Sequence, residues 1–447
     1  MTAKDAQNSS VTAAPVVILG GGLTGISTAV HLRAPWVLLE RDDRLGGHAR
    51  TDERDGYRFD KTGHWLHLRD AGVKKLVDEI LPGQMEPIAR RARIFSHGGL
   101  TRFPFQANLH GLPPEVVKEC LLGVVEAKVA AARAGAGEAE PKNFEEYCLR
   151  HFGAGISKHF MIPYNEKLWG VPPREITAAW CSRFVPLPNV EQIVAGAVGA
   201  GPPEMGYNVS FVYPKAGGIE TFARALQTRM TTDHGRVHTR TQPDEIDWRG
   251  RAVVVGGERL PYRALVASIP LPELLKRMRD LPPEIEAHAA RLRCTTLRYL
   301  NIASRAKPPA DWHWIYVPER KYPFYRVNVF SSAMPTMAPA GGASICVEMS
   351  DRGPIADGVE RDVFQALTAA GALTSPEDVV FSDRKEIQYA YVVFDDHYYP
   401  ATRAIFSFLE ENAIYPRGRY GAWTYNAMED CVLAGREVAA LIDGASS

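Results

Sequence analysis

The segment Gly20–Gly25 reads Gly-Gly-Gly-Leu-Thr-Gly and fits the spacing G-x-G-x-x-G. At this spacing the first glycine permits a tight turn, the second lets the backbone approach a pyrophosphate, and the third lets a helix pack closely on a strand. Glu40 follows about 20 residues later, where a carboxylate binds a ribose 2′-hydroxyl. The sequence therefore predicts a site for the ADP half of a dinucleotide, formed by Gly20, Gly22, Thr24, Gly25 and Glu40.

The residues around this segment must place its glycines at the end of a strand. Val16-Val17-Ile18-Leu19 is a continuous apolar run, which is typical of a buried parallel strand. Ile26 to Leu32 is predicted to be a helix, and Trp36 to Glu40 a second buried strand. A glycine turn without a ligand is the alternative interpretation. The order strand, glycine turn, helix, strand favours the dinucleotide site, because it puts an anion at the helix N-terminus.

The composition argues against several classes of protein. The 447 residues are enough for two or three domains with a large core. Lysine plus arginine and aspartate plus glutamate both number 52, so the formal net charge of zero argues against nucleic acid as a partner and against a polybasic membrane patch. The six scattered cysteines form no C-x-x-C pair, and we expect buried thiols and no metal. Because no signal peptide or membrane span is recognisable, we expect a cytoplasmic location.

The segment after Glu40 indicates which dinucleotide binds. It reads Arg41-Asp42-Asp43-Arg44-Leu45-Gly46-Gly47-His48-Ala49-Arg50-Thr51. Two glycines between a basic residue and a threonine resemble the R-x-G-G motif of the FAD-dependent amine-oxidase superfamily. In that group the pyrophosphate and ribityl chain of the flavin run along this segment, which an NAD dehydrogenase does not need. The resemblance therefore implies FAD, with contacts from Arg41, Gly46, Gly47 and His48.

Further motifs resemble the UDP-galactopyranose mutase family within this superfamily. Asp60 to His67 is similar to the family's G-x-H-I-F-H segment, Tyr164 to Gly170 to its Y-T-E-K-Q-W-G box, and Tyr398-Tyr399-Pro400 to its Y-Y-P. One departure is Asn426-Ala427, where the family has Leu-Asp. The resemblance implies further cofactor contacts from His64, Val237, Arg419 and Met428. It also implies a substrate site formed by Tyr164, Trp169, Arg183, Tyr207, Arg326, Tyr399 and Tyr425.

The resemblance also implies a reaction. The enzyme would be a FAD-dependent isomerase that interconverts the pyranose and furanose forms of a UDP-sugar such as UDP-galactose, for polysaccharide biosynthesis. N5 of the reduced flavin would be the nucleophile and form an adduct with the sugar, assisted by His67, Arg183, Arg326 and Arg419. Arginines and tyrosines suit a diphosphate, because they donate charged and neutral hydrogen bonds. The alternatives are an oxidase or dehydrogenase of the same superfamily, and a flavin-bound protein without turnover.

These motifs must be positioned by an α/β fold with more than one domain. We predict a Rossmann-like FAD-binding domain of the GR2 type, assembled from residues 1–70, 205–275 and 401–447. Residues 71–204 are predicted to form an inserted, mostly helical domain with a mobile loop near 194–206. Residues 276–400 are predicted to form an antiparallel β-sheet domain that binds the substrate. The sequence leaves both a monomer and a homodimer open.

Overall fold

A computed structural model describes residues 14–134, 139–181, 185–201, 209–231, 233–309, 311–349 and 353–445. The first half of the chain contains β1 (Val16–Leu19), α1 (Leu23–His31), β2 (Trp36–Leu39), β3 (Thr51–Arg54), β4 (Tyr57–Asp60), α2 (Ala71–Ile80), β5 (Met85–Ala89), β6 (Ala92–Ser96), β7 (Gly99–Arg102), α3 (Pro114–Ala134), α4 (Phe144–Ile156), α5 (Ile162–Trp169), α6 (Val190–Ala197), β8 (Ser210–Pro214) and α7 (Glu220–Gln227). The second half contains β9 (Gly235–His238), β10 (Glu245–Asp247), β11 (Ala252–Val255), β12 (Glu258–Pro261), β13 (Ala264–Ala267), α8 (Leu271–Lys276), α9 (Pro283–Ala289), β14 (Cys294–Ser304), β15 (Trp314–Tyr316), β16 (Phe324–Val329), α10 (Phe330–Ala333), β17 (Ala343–Met349), α11 (Val359–Ala369), β18 (Val379–Val392), α12 (Tyr398–Glu411), β19 (Ile414–Pro416), α13 (Gly418–Gly421) and α14 (Met428–Gly444).

Five parallel strands form a sheet in the order β19-β13-β1-β2-β9. The central strand β1 pairs with β2 on one side and with β13 on the other, so that Ile18 is level with Leu38 and Val266. All four residues of β1 are buried, as expected for a parallel sheet that is covered on both faces. The prediction of an α/β fold with a Rossmann-like sheet is confirmed, and its strands come from three widely separated stretches of the chain.

A second, seven-stranded sheet has the order β18-β14-β17-β16-β15-β6-β7. Its neighbouring strands are antiparallel, except that β15 and β6 run parallel. Every residue of β17 is buried, and Leu300, Ile345 and Leu367 belong to a core between this sheet and α11. The other face of the sheet is therefore available to form a wall of a cavity.

Helices α3 and α4 pack closely against one another. A Cβ on Gly123 of α3 would lie 2.7 Å from the amide nitrogen of Gly155 on α4, so glycine is what allows these two helices to approach. A π-helical turn at Ser157–Met161 follows α4 and leads into α5. Such turns frequently occur at functional sites. Among the residues that the structure describes, no helix has both the length and the apolar character needed to cross a membrane.

Two features differ from the helical region predicted for residues 71–204. Strands β5, β6 and β7 lie within it, and β6 and β7 turn at His97-Gly98 with φ values of 52° and 76°. Two positive φ values are typical of a tight I′ hairpin turn, in which asparagine is the usual first residue, so the histidine concealed the signal. In addition, α6 occupies the start of the predicted loop, and residues 202–208 of that loop lie outside the described residues. The domain boundaries stay predictions.

Candidate active site

A cavity of about 930 Å³ lies between the carboxyl ends of the parallel strands and one face of the seven-stranded sheet. Leu19 at the end of β1 and Leu39 at the end of β2 line it on one side, and Tyr316 and Arg326 line it on the other. Ligands of open α/β sheets bind at this edge. The cavity therefore joins the predicted dinucleotide site to the predicted substrate site.

The glycine turn after β1 is shaped for a close approach of backbone to ligand. Gly25 packs so tightly that a Cβ on it would overlap the carbonyl oxygen of Gly20. A Cβ on Gly47, whose φ is 58°, would lie 2.9 Å from Cα of Gly22. The two glycine segments thus face one another across a gap that is too narrow for side chains. The predicted residues of these segments that line the cavity are Gly20, Gly22, Thr24, Gly46, Gly47 and His48.

Glu40 has the position expected of a ribose-binding carboxylate. The amide of Gly21 donates a hydrogen bond to Oε2 at 2.6 Å, and the amide of Asp42 donates one to Oε1 at 2.8 Å. These bonds hold the carboxylate at the cavity wall, where Arg41 also lies. Because each carboxylate oxygen can accept more than one hydrogen bond, Glu40 can still bind a hydroxyl group.

Three neutral histidines line the cavity. Burial lowers the pKa of His48 well below its usual value and lowers the pKa of His64 to about 4, and Nδ1 of each makes no hydrogen bond with any described residue. Burial also lowers the pKa of His67, whose Nδ1 donates to the carbonyl of Ser210 at 2.9 Å. The two facing glycine segments, here called the glycine cradle, can accommodate a pyrophosphate. Nδ1 of His48 and of His64 are buried and need hydrogen-bond partners, so this end of the cavity fits a flavin dinucleotide.

Aromatic rings form the wall at the substrate end. The ring of Phe160, in the π-helical turn, stacks on Tyr164 with the centroids 5.2 Å apart and the planes 5° from parallel. Trp169, on the same helix α5, donates from Nε1 to Oδ1 of Asn165 at 3.2 Å. Tyr164 and Trp169 both line the cavity, as predicted. Burial raises the pKa of Tyr164 well above its usual value, so its hydroxyl stays a neutral donor beside these apolar faces.

Arg326 lies on β16 and faces the cavity from within a buried polar cluster. It donates from Nε and Nη2 to the two oxygens of Glu348, at 2.9 and 2.6 Å, and from Nη2 to the hydroxyl of Tyr391 at 3.3 Å. Burial raises the pKa of Tyr391 to about 12, so this hydroxyl also remains a donor near neutral pH. The cluster provides a fixed cation and neutral hydroxyl groups, a combination suited to a phosphate group.

Arg419 and Tyr425 lie together at the junction of the two ends. The guanidinium of Arg419 donates to the carbonyl oxygens of Asn426 at 2.9 Å and Ala390 at 3.1 Å. It also lies 4.5 Å from the ring centroid of Tyr425. Met428, the first residue of α14, lines the same part of the cavity. These three predicted residues therefore all line the cavity.

Apart from Gly25, which packs against the carbonyl of Gly20 and does not line the cavity, four predicted site residues are not placed in it. Val237 is 41% exposed on the edge strand β9, and Tyr399 is 42% exposed in the first turn of α12, and neither lines the cavity. Arg183 and Tyr207 lie outside the described residues. The roles of these four side chains stay predictions.

Sequence reasoning missed the partners of the predicted residues. Glu348, Asn328 and Tyr391 lie outside the predicted site, yet they contact Arg326 or one another through hydrogen bonds. One signal was available, because Glu348 is the only charged residue in the apolar run Ala-Ser-Ile-Cys-Val-Glu-Met of β17. A buried strand rarely contains an unpaired carboxylate, so that residue predicts a buried cation nearby.

The described geometry agrees with the relatives of this chain. The sequence model of the flavin containing amine oxidoreductase family matches residues 23–443. The dTDP-fucopyranose mutase of Escherichia coli is 28% identical over 175 residues, which cover 38% of this chain and 45% of that protein. The carotenoid 3,4-desaturase of Haloarcula japonica is 41% identical over 58 residues, or 12% of each chain. The chain thus spans less than half the length of these curated relatives.

Solved structures match over nearly the whole chain. The structure of reduced UDP-galactopyranose mutase superposes with a TM-score of 0.88 and 27% identity, covering 97% of this chain and 94% of that one. Cyclohexylamine oxidase from Brevibacterium oxydans superposes with a TM-score of 0.67 over 97% of this chain and 99% of that one, and at 15% identity it shows the shared fold alone. The resemblance to UDP-galactopyranose mutase and the flavin cofactor predicted from the sequence are confirmed. The chain belongs to the family of flavin-containing amine oxidoreductases.

Proposed function

We propose that this protein is a flavin-dependent isomerase that interconverts the pyranose and furanose forms of a nucleotide sugar. The observation that carries the proposal is the continuity of one cavity from the glycine cradle to the Arg326 cluster. The structural likeness to reduced UDP-galactopyranose mutase, and the sequence likeness to dTDP-fucopyranose mutase, support a uridine or thymidine diphosphate sugar as the substrate. Among these we favour a UDP-sugar similar to UDP-galactose.

At the substrate end, aromatic rings would bind the base and the sugar, and arginine and tyrosine donors would bind the diphosphate. The faces of Tyr164 and Trp169 offer flat apolar surfaces to the base and the sugar. Arg326 and Tyr425 donate hydrogen bonds to the diphosphate, and Arg183, Tyr207 and Tyr399 are proposed to complete this set. Fixed donors stabilise the charge that develops on a departing diphosphate, because they need no reorganisation during the reaction.

The residues of the other end hold FAD. The amides and glycines around Gly20–Gly25 and Gly46-Gly47 would contact the pyrophosphate, and Glu40 the ribose. A bound, reduced flavin would supply a nucleophilic nitrogen, N5, for the anomeric carbon of the sugar without net oxidation or reduction. His64 and His67 are neutral in this environment, so they can shape the surroundings of the flavin without adding charge.

An anaerobic conversion assay tests this function. The purified holoenzyme is reduced with dithionite and incubated with UDP-galactofuranose or with a dTDP-fucofuranose, and the pyranose product is measured by chromatography. We expect conversion in the reduced sample and none in the oxidised sample. Conversion by oxidised protein would contradict the role of reduced flavin. Absence of conversion, together with oxygen-dependent turnover of an amine, would replace the proposal with the oxidase alternative.

A further inference from the structure

Glu348 is a buried acid directly behind the substrate end of the cavity. It is fully buried on β17, and its carboxylate accepts hydrogen bonds from three side chains. Besides the two bonds from Arg326, the hydroxyl of Tyr325 donates at 2.9 Å and Nδ2 of Asn328 donates at 2.8 Å. A buried carboxylate is tolerated only with such partners. The acid and these three side chains therefore fix one another in a single arrangement.

This arrangement decides what β16 presents to the cavity. Arg326 and Asn328 line the cavity, whereas Glu348 does not. Because Glu348 binds Nε and Nη2 of Arg326, Nη1 is the part of the guanidinium that the acid leaves available. Because Nδ2 of Asn328 donates to Glu348, its Oδ1 is at the other end of the carboxamide, and this buried oxygen makes no hydrogen bond with the residues described. This oxygen would lie 2.6 Å from a Cβ on Gly63, the residue that precedes the predicted cofactor contact His64.

We infer that Glu348 is a positioning residue, which orients Arg326 toward the diphosphate of the substrate and fixes the carboxamide of Asn328 at the cavity wall. This inference rests on the proposed function, because the diphosphate is the group that Arg326 would bind. Orientation matters since a guanidinium binds phosphate through directed, paired hydrogen bonds. The competing role for Glu348 is to neutralise the charge of Arg326, and it makes the opposite prediction, namely that UDP binds more tightly without the acid.

The test compares UDP with uridine as ligands of the holoenzyme. Glu348→Gln keeps the size of the side chain but places an amide donor against the donors of Arg326, Tyr325 and Asn328. We expect the Kd for UDP, measured by calorimetric titration, to rise roughly tenfold or more, as for other buried charged partners. Uridine contacts the aromatic wall but has no diphosphate, so its Kd and the FAD content should not change. A loss of general packing would instead weaken both ligands.

Glu360→Gln is the matched control. Glu360, on α11, also binds an arginine in a fork, with Arg384 of β18 donating from Nε at 2.7 Å and from Nη2 at 3.0 Å, but neither residue lines the cavity. The control should bind both ligands as the wild-type protein does. Weaker UDP binding by this variant would show that loss of any such pair is sufficient, and would overturn the specific role of Glu348.

Two further variants keep the inference testable if Glu348→Gln folds poorly. Glu348→Asp retains the charge but withdraws the carboxylate from Arg326. If Glu348 positions Arg326, this variant should bind UDP more weakly; if Glu348 only neutralises its charge, UDP binding should be unchanged. In a double-mutant cycle, Arg326→Gln with Glu348→Gln should bind UDP no more weakly than Arg326→Gln alone. Unchanged or tighter UDP binding by both Glu348 variants overturns the inference. Failure of the wild-type protein to bind UDP or dTDP overturns the proposed function itself.

Discussion

The close approach of the two glycine segments can be tested by giving Gly47 a side chain. Gly47→Ala places a Cβ 2.9 Å from Cα of Gly22, where ordinary contact begins near 3.4 Å, and both neighbours are backbone. The contact is relieved only if the two segments separate, which distorts the cradle for the FAD pyrophosphate. Overpacking of this kind costs about 1–3 kcal/mol. If the cost falls on the bound state, the Kd for FAD rises roughly 5- to 150-fold.

The assay is titration of the apoprotein with FAD, followed by quenching of flavin fluorescence, with thermal unfolding measured on the same samples. Gly83→Ala is the control, because Gly83 has a φ of 68° and no atom lies within 4 Å of the point that its new methyl group would occupy. Both variants carry the conformational cost of a positive φ, about 1–2 kcal/mol, so both should unfold at a lower temperature. Only Gly47→Ala should bind FAD more weakly. The close-approach explanation would be refuted if the Kd of Gly47→Ala for FAD stayed within about threefold of the wild-type value. It would also be refuted if Gly83→Ala lost as much affinity for FAD as Gly47→Ala.

Three further predictions concern single side chains. Burial lowers the pKa of His64 from 6.5 to about 4, so its stabilising contribution is present above pH 6.5 and is lost as pH falls toward 4, by up to about 3 kcal/mol. His64→Gln should therefore reduce the change of the unfolding midpoint with pH over this range, and an unchanged pH dependence would contradict the assignment. Glu40→Gln loses an acceptor for one backbone amide and should raise the Kd for FAD roughly tenfold or more, whereas the exposed Glu53→Gln should not. Tyr425→Phe removes one neutral donor and should weaken UDP about fivefold with uridine unchanged, and equal loss of both ligands would place Tyr425 at the base instead.

The cofactor half of the fold could be predicted because its signals are local. The apolar runs Val16–Leu19 and Trp36–Leu39 are strands as expected, since strands buried on both faces contain uninterrupted apolar residues. The helix between them begins at Leu23 rather than Ile26, inside the glycine motif. The residues from Tyr398 onward form helix α12, although tyrosine is more common in strands. Only tertiary contacts decide between such alternatives.

The candidate site was predictable only in part, because some of its contacts join strands whose register a local sequence pattern does not show. Tyr164, Trp169, Arg326, Arg419 and Tyr425 all line the cavity, and the family resemblance implies each of them. Glu348 lies in no motif, and its contact with Arg326 depends on the register that places these residues opposite one another in β16 and β17. Register over such a separation is set by packing across the whole sheet, which a single sequence does not reveal.

The scattered origin of the parallel sheet has a consequence for how the protein is made. β1 ends at Leu19, but its neighbour β13 begins at Ala264 and the edge strand β19 at Ile414. During translation β1 and β2 can pair with each other early, but β1 lacks its second neighbour β13 until Ala267 has been made, and the sheet is complete only after β19. Nascent chains with unpaired apolar strands are prone to aggregation and depend on chaperones. We therefore expect FAD to bind stably only after the C-terminal residues have been made, because β19 completes the sheet and Arg419, which lines the cavity, follows it in the chain.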